Sequence, residues 1–437
     1  MQIKTFLSPK SLLFWIILPV VNLAIPLSAA EKFVANYDEA KMPQYVLPDA
    51  LRLANGKPVS DSKTWQKQRR KELLALFEKE VYGKTPQEKL RTRTDIISVD
   101  KTALDGKATR KEVAVHFFGN GLEQTMNILL YVPNGLKKPA PAFLGLNFGG
   151  NQSIQSDPGI TLSTNWMRNK PEQGYVDTRA TEKSRGSSAS RWQVEKVLSH
   201  GFAVATIYYG DIVPDDEKGG LQRGIHRLFT KKVPAEPGPE EWGAIGAWAW
   251  GLSRALDYLE SDKDIDASHV AVHGHSRLGK ASVWAGAQDE RFAIVISNDS
   301  GCGGAALSKR IFGETVGRIN DSFPHWFCGN FKKYNNKEEL LPLDQHELLA
   351  LVAPRPLYVA SASEDLWADP HGEFLSAKAV DPVYALFGKR GLGVEKTPPL
   401  NQRVGETIGY HLRAGKHDIT DFDWDQYIAF AKKHFNR

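Results

Sequence analysis

Cysteine is nearly missing from this chain: of 437 residues, only Cys302 and Cys328 carry a thiol. Two thiols without a ligand-spaced histidine pair cannot complete a zinc shell, so no metal centre is expected from them. Both lie beyond an N-terminal segment that reads as a secretory leader, in a compartment that permits disulfides, and they are expected to pair with each other. Internal repeats and low-complexity tracts are also lacking, which excludes solenoids and propellers. There is no clustered basic stripe, and a formal net charge of +5 is too mild to suggest a nucleic-acid partner. No apolar run of membrane-spanning length follows the N-terminal segment.

That segment carries Lys4 and Lys10 and no acid, then an apolar run over 12–27, then Ser28-Ala29-Ala30. This is the pattern of a signal peptide cut after Ala30. The rival reading, a membrane anchor, is weakened by Pro19, Asn22 and Pro26 within the run. The remainder, 31–437, is expected to be one exported α/β domain, secreted or periplasmic, monomeric and without stable membrane association. With 41% hydrophobic residues it can bury a large core.

Residues 31–63, rich in Pro, Asn and Asp, read as an extended strap on the surface, followed by a helix over 65–81 that Gly83 and Pro86 stop. Stretches 111–118 and 125–132 alternate like half-buried antiparallel strands. Continuous apolar runs at 142–146, 202–208, 270–272, 292–296 and 356–360 suit strands covered on both faces. Helical patterns at 192–199, 242–259 and 279–287 lie between them, the alternation of a doubly wound sheet. The long polar loops 152–191 and 211–238 sit where an open α/β sheet builds its site.

The most informative run is Val272-His273-Gly274-His275-Ser276-Arg277-Leu278-Gly279-Lys280. An apolar strand, a glycine-flanked serine and a small-residue helix make a strand–elbow–helix turn that exposes Ser276 as a nucleophile. The fit to Gly-x-Ser-x-Gly is imperfect, because Leu278 holds the last glycine's place and Gly279 comes one later. Serine needs a base within hydrogen-bond reach and an acid to orient that base. His417 lies in a loop between the strand 407–412 and the final helix 422–435, the customary place for the base, which favours it over His411, His371 and His325. Two acids stand at strand ends: Asp365, after 356–360, and Asp299, after the strand that follows the nucleophile helix. Asn147-Phe148-Gly149-Gly150-Asn151 supplies a glycine-rich loop for a second oxyanion donor, and Arg277 a fixed positive charge.

These residues resemble the glucuronoyl esterases of carbohydrate esterase family 15. The shared motifs are Gly274-x-Ser276-Arg277-x-Gly279-Lys280, Gly149-Gly150-Asn151, Asn298-Asp299-Ser300-Gly301-Cys302-Gly303-Gly304, Pro324-His325-Trp326-Phe327, Trp367-Ala368-Asp369-Pro370 and the His417 loop. The resemblance implies an α/β-hydrolase fold, a three-layer sandwich with a mostly parallel central sheet and long loops around the site. It implies Ser276 as nucleophile, His417 as base, Arg277 as oxyanion stabiliser, and Lys280, Glu314 and Trp367 as contacts to the sugar acid, with no cofactor. Fungal members place the acid, a glutamate, where Asp299 stands, and some bacterial ones place an acid where Asp365 stands. Aspartate is a methylene shorter, so Asp365 is preferred as principal acid and Asp299 as a supporting one. Fungal members also carry a cysteine before the serine, bridged near the histidine; here His275 and Lys416 occupy those neighbourhoods, the bacterial pattern. The implied substrates are glucuronoxylan and lignin–carbohydrate esters, in which (4-O-methyl-)glucuronic acid is the acyl group. Another carbohydrate esterase, such as an acetyl xylan esterase, and a catalytically silent carbohydrate-binding homologue are the alternatives.

Overall fold

Ten strands form one sheet. In chain order they are β1 (Arg91–Ala103), β2 (Ala108–Gly119), β3 (Leu122–Pro133), β4 (Ala140–Asn147), β5 (Ala203–Tyr208), β6 (Ile265–His275), β7 (Ile294–Asn298), β8 (Leu357–Ala362), β9 (Arg403–Gly405) and β10 (Ile408–Arg413). Their spatial order is β1-β2-β3-β5-β4-β6-β7-β8-β10-β9. The pairs from β5 through β10 are parallel, while β1–β2, β2–β3, β3–β5 and β9–β10 are antiparallel. β4, β5, β7 and β8 are buried at every position, as strands covered by helices on both faces must be. The long covering helices are α1 (Ala244–Ser261), α2 (Arg277–Gln288), α3 (Pro370–Ala379) and α4 (Asp421–His434). This is the α/β-hydrolase architecture, a mostly parallel sheet between helical layers.

The computed structural model describes residues 1, 2, 5 and 33–436. The leader expected over 1–30 lies, apart from three isolated positions, outside the described residues, as does the cut after Ala30. Residues 35–437 form one compact unit. Its first stretch is a strap: Asn36 accepts a backbone bond from Gly313 at 2.9 Å, Glu39 pairs with Arg310 at 2.7 Å, and the Pro48 carbonyl lies 2.9 Å from His346 Nε2. Among the described residues no helix is long and apolar enough to cross a membrane.

β1, invisible in the sequence, is one of the sheet's two edge strands, and it shows no apolar alternation because nearly all of its residues face solvent. The helix expected over 65–81 forms as one α segment, Arg70–Phe77, between two π turns. That over 192–199 is broken at Gln193, whose φ of +43° ends one turn and starts the next. The expected Cys302–Cys328 bridge is not formed; both are buried free thiols. Cys302 lies in the turn after β7, where its carbonyl accepts Lys280 Nζ at 2.7 Å, whereas the Cys328 thiol faces the Lys79 carbonyl at 3.5 Å. Beside Cys302, the Phe327 ring presses against Gly303 and Tyr82 donates to the Gly303 carbonyl at 3.0 Å.

Candidate active site

Ser276 stands between the end of β6 and the start of α2 with φ +59° and ψ −131°, a conformation that a non-glycine residue adopts only under constraint. The constraint is visible on both sides. A Cβ on Gly274 would lie 2.0 Å from the Leu278 carbonyl oxygen, so only glycine lets the strand pass so close to the helix. A Cβ on Gly279 would crowd Ser300, Gly274 and Asn298, which is why a glycine one place later than usual still serves α2. The Ser276 amide donates to the Asn298 carbonyl at 2.9 Å, tying the elbow to the end of β7, and the serine itself is half-buried.

His417 follows β10, and its Nδ1 lies 2.5 Å from Asp365 Oδ2, beyond the end of β8. Asp365 is 7% exposed and His417 side-chain atoms are 40% exposed, so the carboxylate is sheltered and the imidazole open. The His417 ring lies 4.4 Å from that of His275, the residue just before Ser276, which sets it against the elbow. His275 is held by an Nδ1–H bond to Asn298 Oδ1 at 2.6 Å, and burial pushes its imidazole well below the usual range. The other histidines weighed lie elsewhere. His411 is buried between the Tyr358 hydroxyl and Asp423, His371 faces Thr397 from α3, and His325 is buried against Asp215.

Asp299 lies near by but in a different electrostatic state. One ligand atom each of Asp299, Asp365 and His417 lies within 4.8 Å of the others, a compactness that could grasp a cation or serve a proton relay. Neither Asp299 oxygen has a hydrogen-bond partner among the described residues; Arg413 comes to 3.5 Å and His275 to 4.0 Å. Burial, then the negative charges of Glu373 and Asp365, push its carboxyl far above the usual range. Burial therefore favours the protonated form of Asp299, whereas Asp365 is the carboxylate bonded to His417. Beneath them Glu373, from α3, accepts the Ser300 and Gly301 amides at 2.8 and 3.0 Å and the Ser361 hydroxyl at 2.6 Å.

On the other side of Ser276 the Arg277 guanidinium binds Asp215 and lies over the Trp326 and Phe323 rings at 4.8 and 5.3 Å. Lys280 is buried and donates to the Ser300 and Cys302 carbonyls at 2.6 and 2.7 Å, with Glu314 Oε2 at 3.9 Å. Glu314 bonds to Trp367, both through its amide to the Trp367 carbonyl at 3.0 Å and side chain to side chain. Trp367, at 37% exposed, is the open member of that wall. In the glycine-rich loop the Gly149 carbonyl is tied down by Gln152 at 2.7 Å and Tyr175 at 3.1 Å, and the Phe148 ring faces His275 and Arg277. Sequence reasoning missed Asp215, Phe323 and Glu373. Asp215 lies in an irregular loop, Phe323 beside a motif whose use the sequence does not reveal, and Glu373 on an ordinary helix. The one available signal was the length of loop 211–238.

A serine on a strained strand–helix elbow, with a histidine–aspartate pair from later strand ends set beside the residue before it, fits a hydrolase of the α/β class. A family model for fungal glucuronyl esterases matches residues 195–388. Carbohydrate esterase MZ0003, from an unknown prokaryotic organism, is 52% identical over 402 residues, covering 91% of this chain and 92% of that protein. The structure of a glucuronoyl esterase from Solibacter usitatus superposes with a TM-score of 0.85 at 52% identity, covering 91% of this chain and all of the other. A CE15 esterase from a marine bacterial metagenome gives a TM-score of 0.86 at 51% identity, covering 92% of this chain and all of the other. The chain belongs to carbohydrate esterase family 15.

Proposed function

We propose that this protein is a serine esterase that hydrolyses the ester between (4-O-methyl-)glucuronic acid of glucuronoxylan and an alcohol of lignin. The observation that carries this reading is the pairing of Ser276 with Arg277 at one elbow. A serine esterase acting on lipids would line its pocket with apolar groups, whereas Arg277, Lys280, Glu314 and Trp367 make a charged and hydrogen-bonding wall suited to a hydroxylated uronate. The relatives named for glucuronoyl ester hydrolysis support the same substrate.

In the proposed mechanism Ser276 Oγ attacks the ester carbonyl as His417 takes its proton, and Asp365 orients the imidazole and stabilises the imidazolium. The oxyanion is held by Arg277 and by backbone amides of the elbow and the 147–151 loop. Collapse breaks the bond to the alcohol, which receives the proton from His417. Water, deprotonated by His417, then attacks the glucuronoyl-serine ester and frees the uronate, restoring Ser276. Asp299 is the supporting acid, and Lys280, Glu314 and Trp367 bind the sugar. The N-terminal thirty residues serve as a leader for export to the space where xylan is met, and the enzyme acts as a monomer. Benzyl glucuronate and acetylated xylose, offered to wild type and Ser276→Ala, test the reading. It requires serine-dependent turnover of the glucuronate ester, while turnover of the acetyl sugar alone points to an acetyl xylan esterase, and of neither to a silent binding homologue.

A further inference from the structure

The Asp215 carboxylate is fully buried in the loop after β5, yet no step above uses it. Its Oδ1 accepts His325 Nε2–H at 2.9 Å and the Trp326 indole N–H at 2.8 Å. Its Oδ2 accepts Arg277 Nη1–H and the Tyr209 hydroxyl at 3.3 Å, with Arg168 3.9 Å away. Burial alone would raise its pKa, but the His325 bond and the Arg277 charge outweigh it, so the group is an anion. Trp326 serves both partners, giving its N–H to Asp215 and its ring face to Arg277, and it stacks on Phe323 at 3.7 Å with the rings 3° from parallel. Arg277 is thus held by a carboxylate at one end and by two rings on its face, which leaves little rotamer freedom. Its Nε, buried, has no hydrogen-bond partner among the described residues.

A guanidinium beside the nucleophile poses a problem for this reaction. Hydrolysis turns a neutral ester into a carboxylate, and an unengaged guanidinium clasps a carboxylate with two parallel hydrogen bonds. We propose that Asp215 is a positioning residue that fixes the Arg277 fork for the transient oxyanion and, by occupying Nη1 and cancelling its charge, lets the uronate product leave. The oxyanion still meets a preset donor, which is worth more than a mobile one because nothing reorganises during the reaction. The product meets a neutral pair with one arm of the fork already taken. This inference rests on the role proposed above for Arg277.

The experiment measures kcat and KM for benzyl glucuronate and inhibition by free glucuronate in wild type, Asp215→Asn, Arg277→Gln and the double variant. Asp215→Asn should lower kcat about tenfold or more while KM stays within about threefold, the signature of an interaction realised in the transition state. It should also tighten glucuronate inhibition about fivefold or more, an effect that a general loss of packing would not produce. The double variant should be no slower than Arg277→Gln, since Asp215 acts through Arg277. Unchanged kcat or unchanged inhibition in Asp215→Asn overturns the proposal, as does a double variant slowed by the product of the two separate losses. If Arg277→Gln itself keeps full kcat, the reading of Arg277 fails instead. Should Asp215→Asn not fold, Asp215→Glu keeps the charge and moves it by a methylene. It should lower kcat with glucuronate inhibition as in wild type, and a wild-type kcat there overturns the proposal.

Discussion

Asp365→Asn separates the two acids. The amide fits the same space but carries no charge, so the imidazolium formed on His417 in the transition state loses its counter-ion. With charge centres about 4 Å apart and an effective dielectric of about 20, the lost attraction is about 4 kcal/mol. His417 is 40% exposed, and screening by water trims this to about 3 kcal/mol, a loss of about a hundredfold in kcat. Asp299 has no hydrogen-bond partner among the described residues and burial pushes it toward its neutral form, so Asp299→Asn should lower kcat less than about tenfold. The charge of Asp365 is one of the causes that keep Asp299 protonated. Removing it eases ionisation of Asp299, which then partly substitutes beside His417, so the double variant should be slower than Asp365→Asn by about a further tenfold. The assay is steady-state turnover of benzyl glucuronate by the three variants, with folding checked by thermal melts. A crippled Asp299→Asn beside a near-normal Asp365→Asn would refute the reasoning and give the principal role to Asp299.

Ser276→Gly should abolish turnover and raise Tm above that of Ser276→Ala, because glycine relieves a φ of +59° that costs about 1–3 kcal/mol; a lower Tm in a calorimetric comparison contradicts the strain. Glu373 is pushed up to about 7 from 4.5, chiefly by burial and against its hydrogen bonds. Between those values the folded chain keeps a proton that the unfolded chain releases, so stability falls as pH rises from about 4.5 to about 7, by about 3 kcal/mol from this group. Denaturant melts across that range should show a shallower fall for Glu373→Gln, and an unaltered slope sinks the assignment. Thiol titration of the denatured, unreduced protein should count both Cys302 and Cys328, and a count of zero would restore the bridge.

Much of the frame of the candidate site was legible because it is local. The elbow announces itself through Gly274, Ser276 and the small residues of α2, and the loops bearing Asp365 and His417 directly follow apolar strands that are buried on both faces. What escaped was set by tertiary contact. β1 pairs with β2 through its backbone while its side chains face water, so its composition reads as loop. Asp215 reaches Arg277 across 62 positions of sequence, and Glu373 reaches Ser300 across 73, distances over which no spacing rule operates. The cysteine expectation failed for a related reason. An even count and an oxidising compartment make a bridge possible, but the fold gives each sulfur its own buried surroundings.

The most direct test of serine-based hydrolysis at the uronate carbonyl is turnover of benzyl glucuronate in water enriched in oxygen-18, by wild type and by Ser276→Ala. Attack at the acyl carbon through a glucuronoyl-serine predicts label in the glucuronate carboxylate, none in the benzyl alcohol, and loss of nearly all turnover in Ser276→Ala. Label in the alcohol, or a Ser276→Ala enzyme that folds and still turns over, would contradict it.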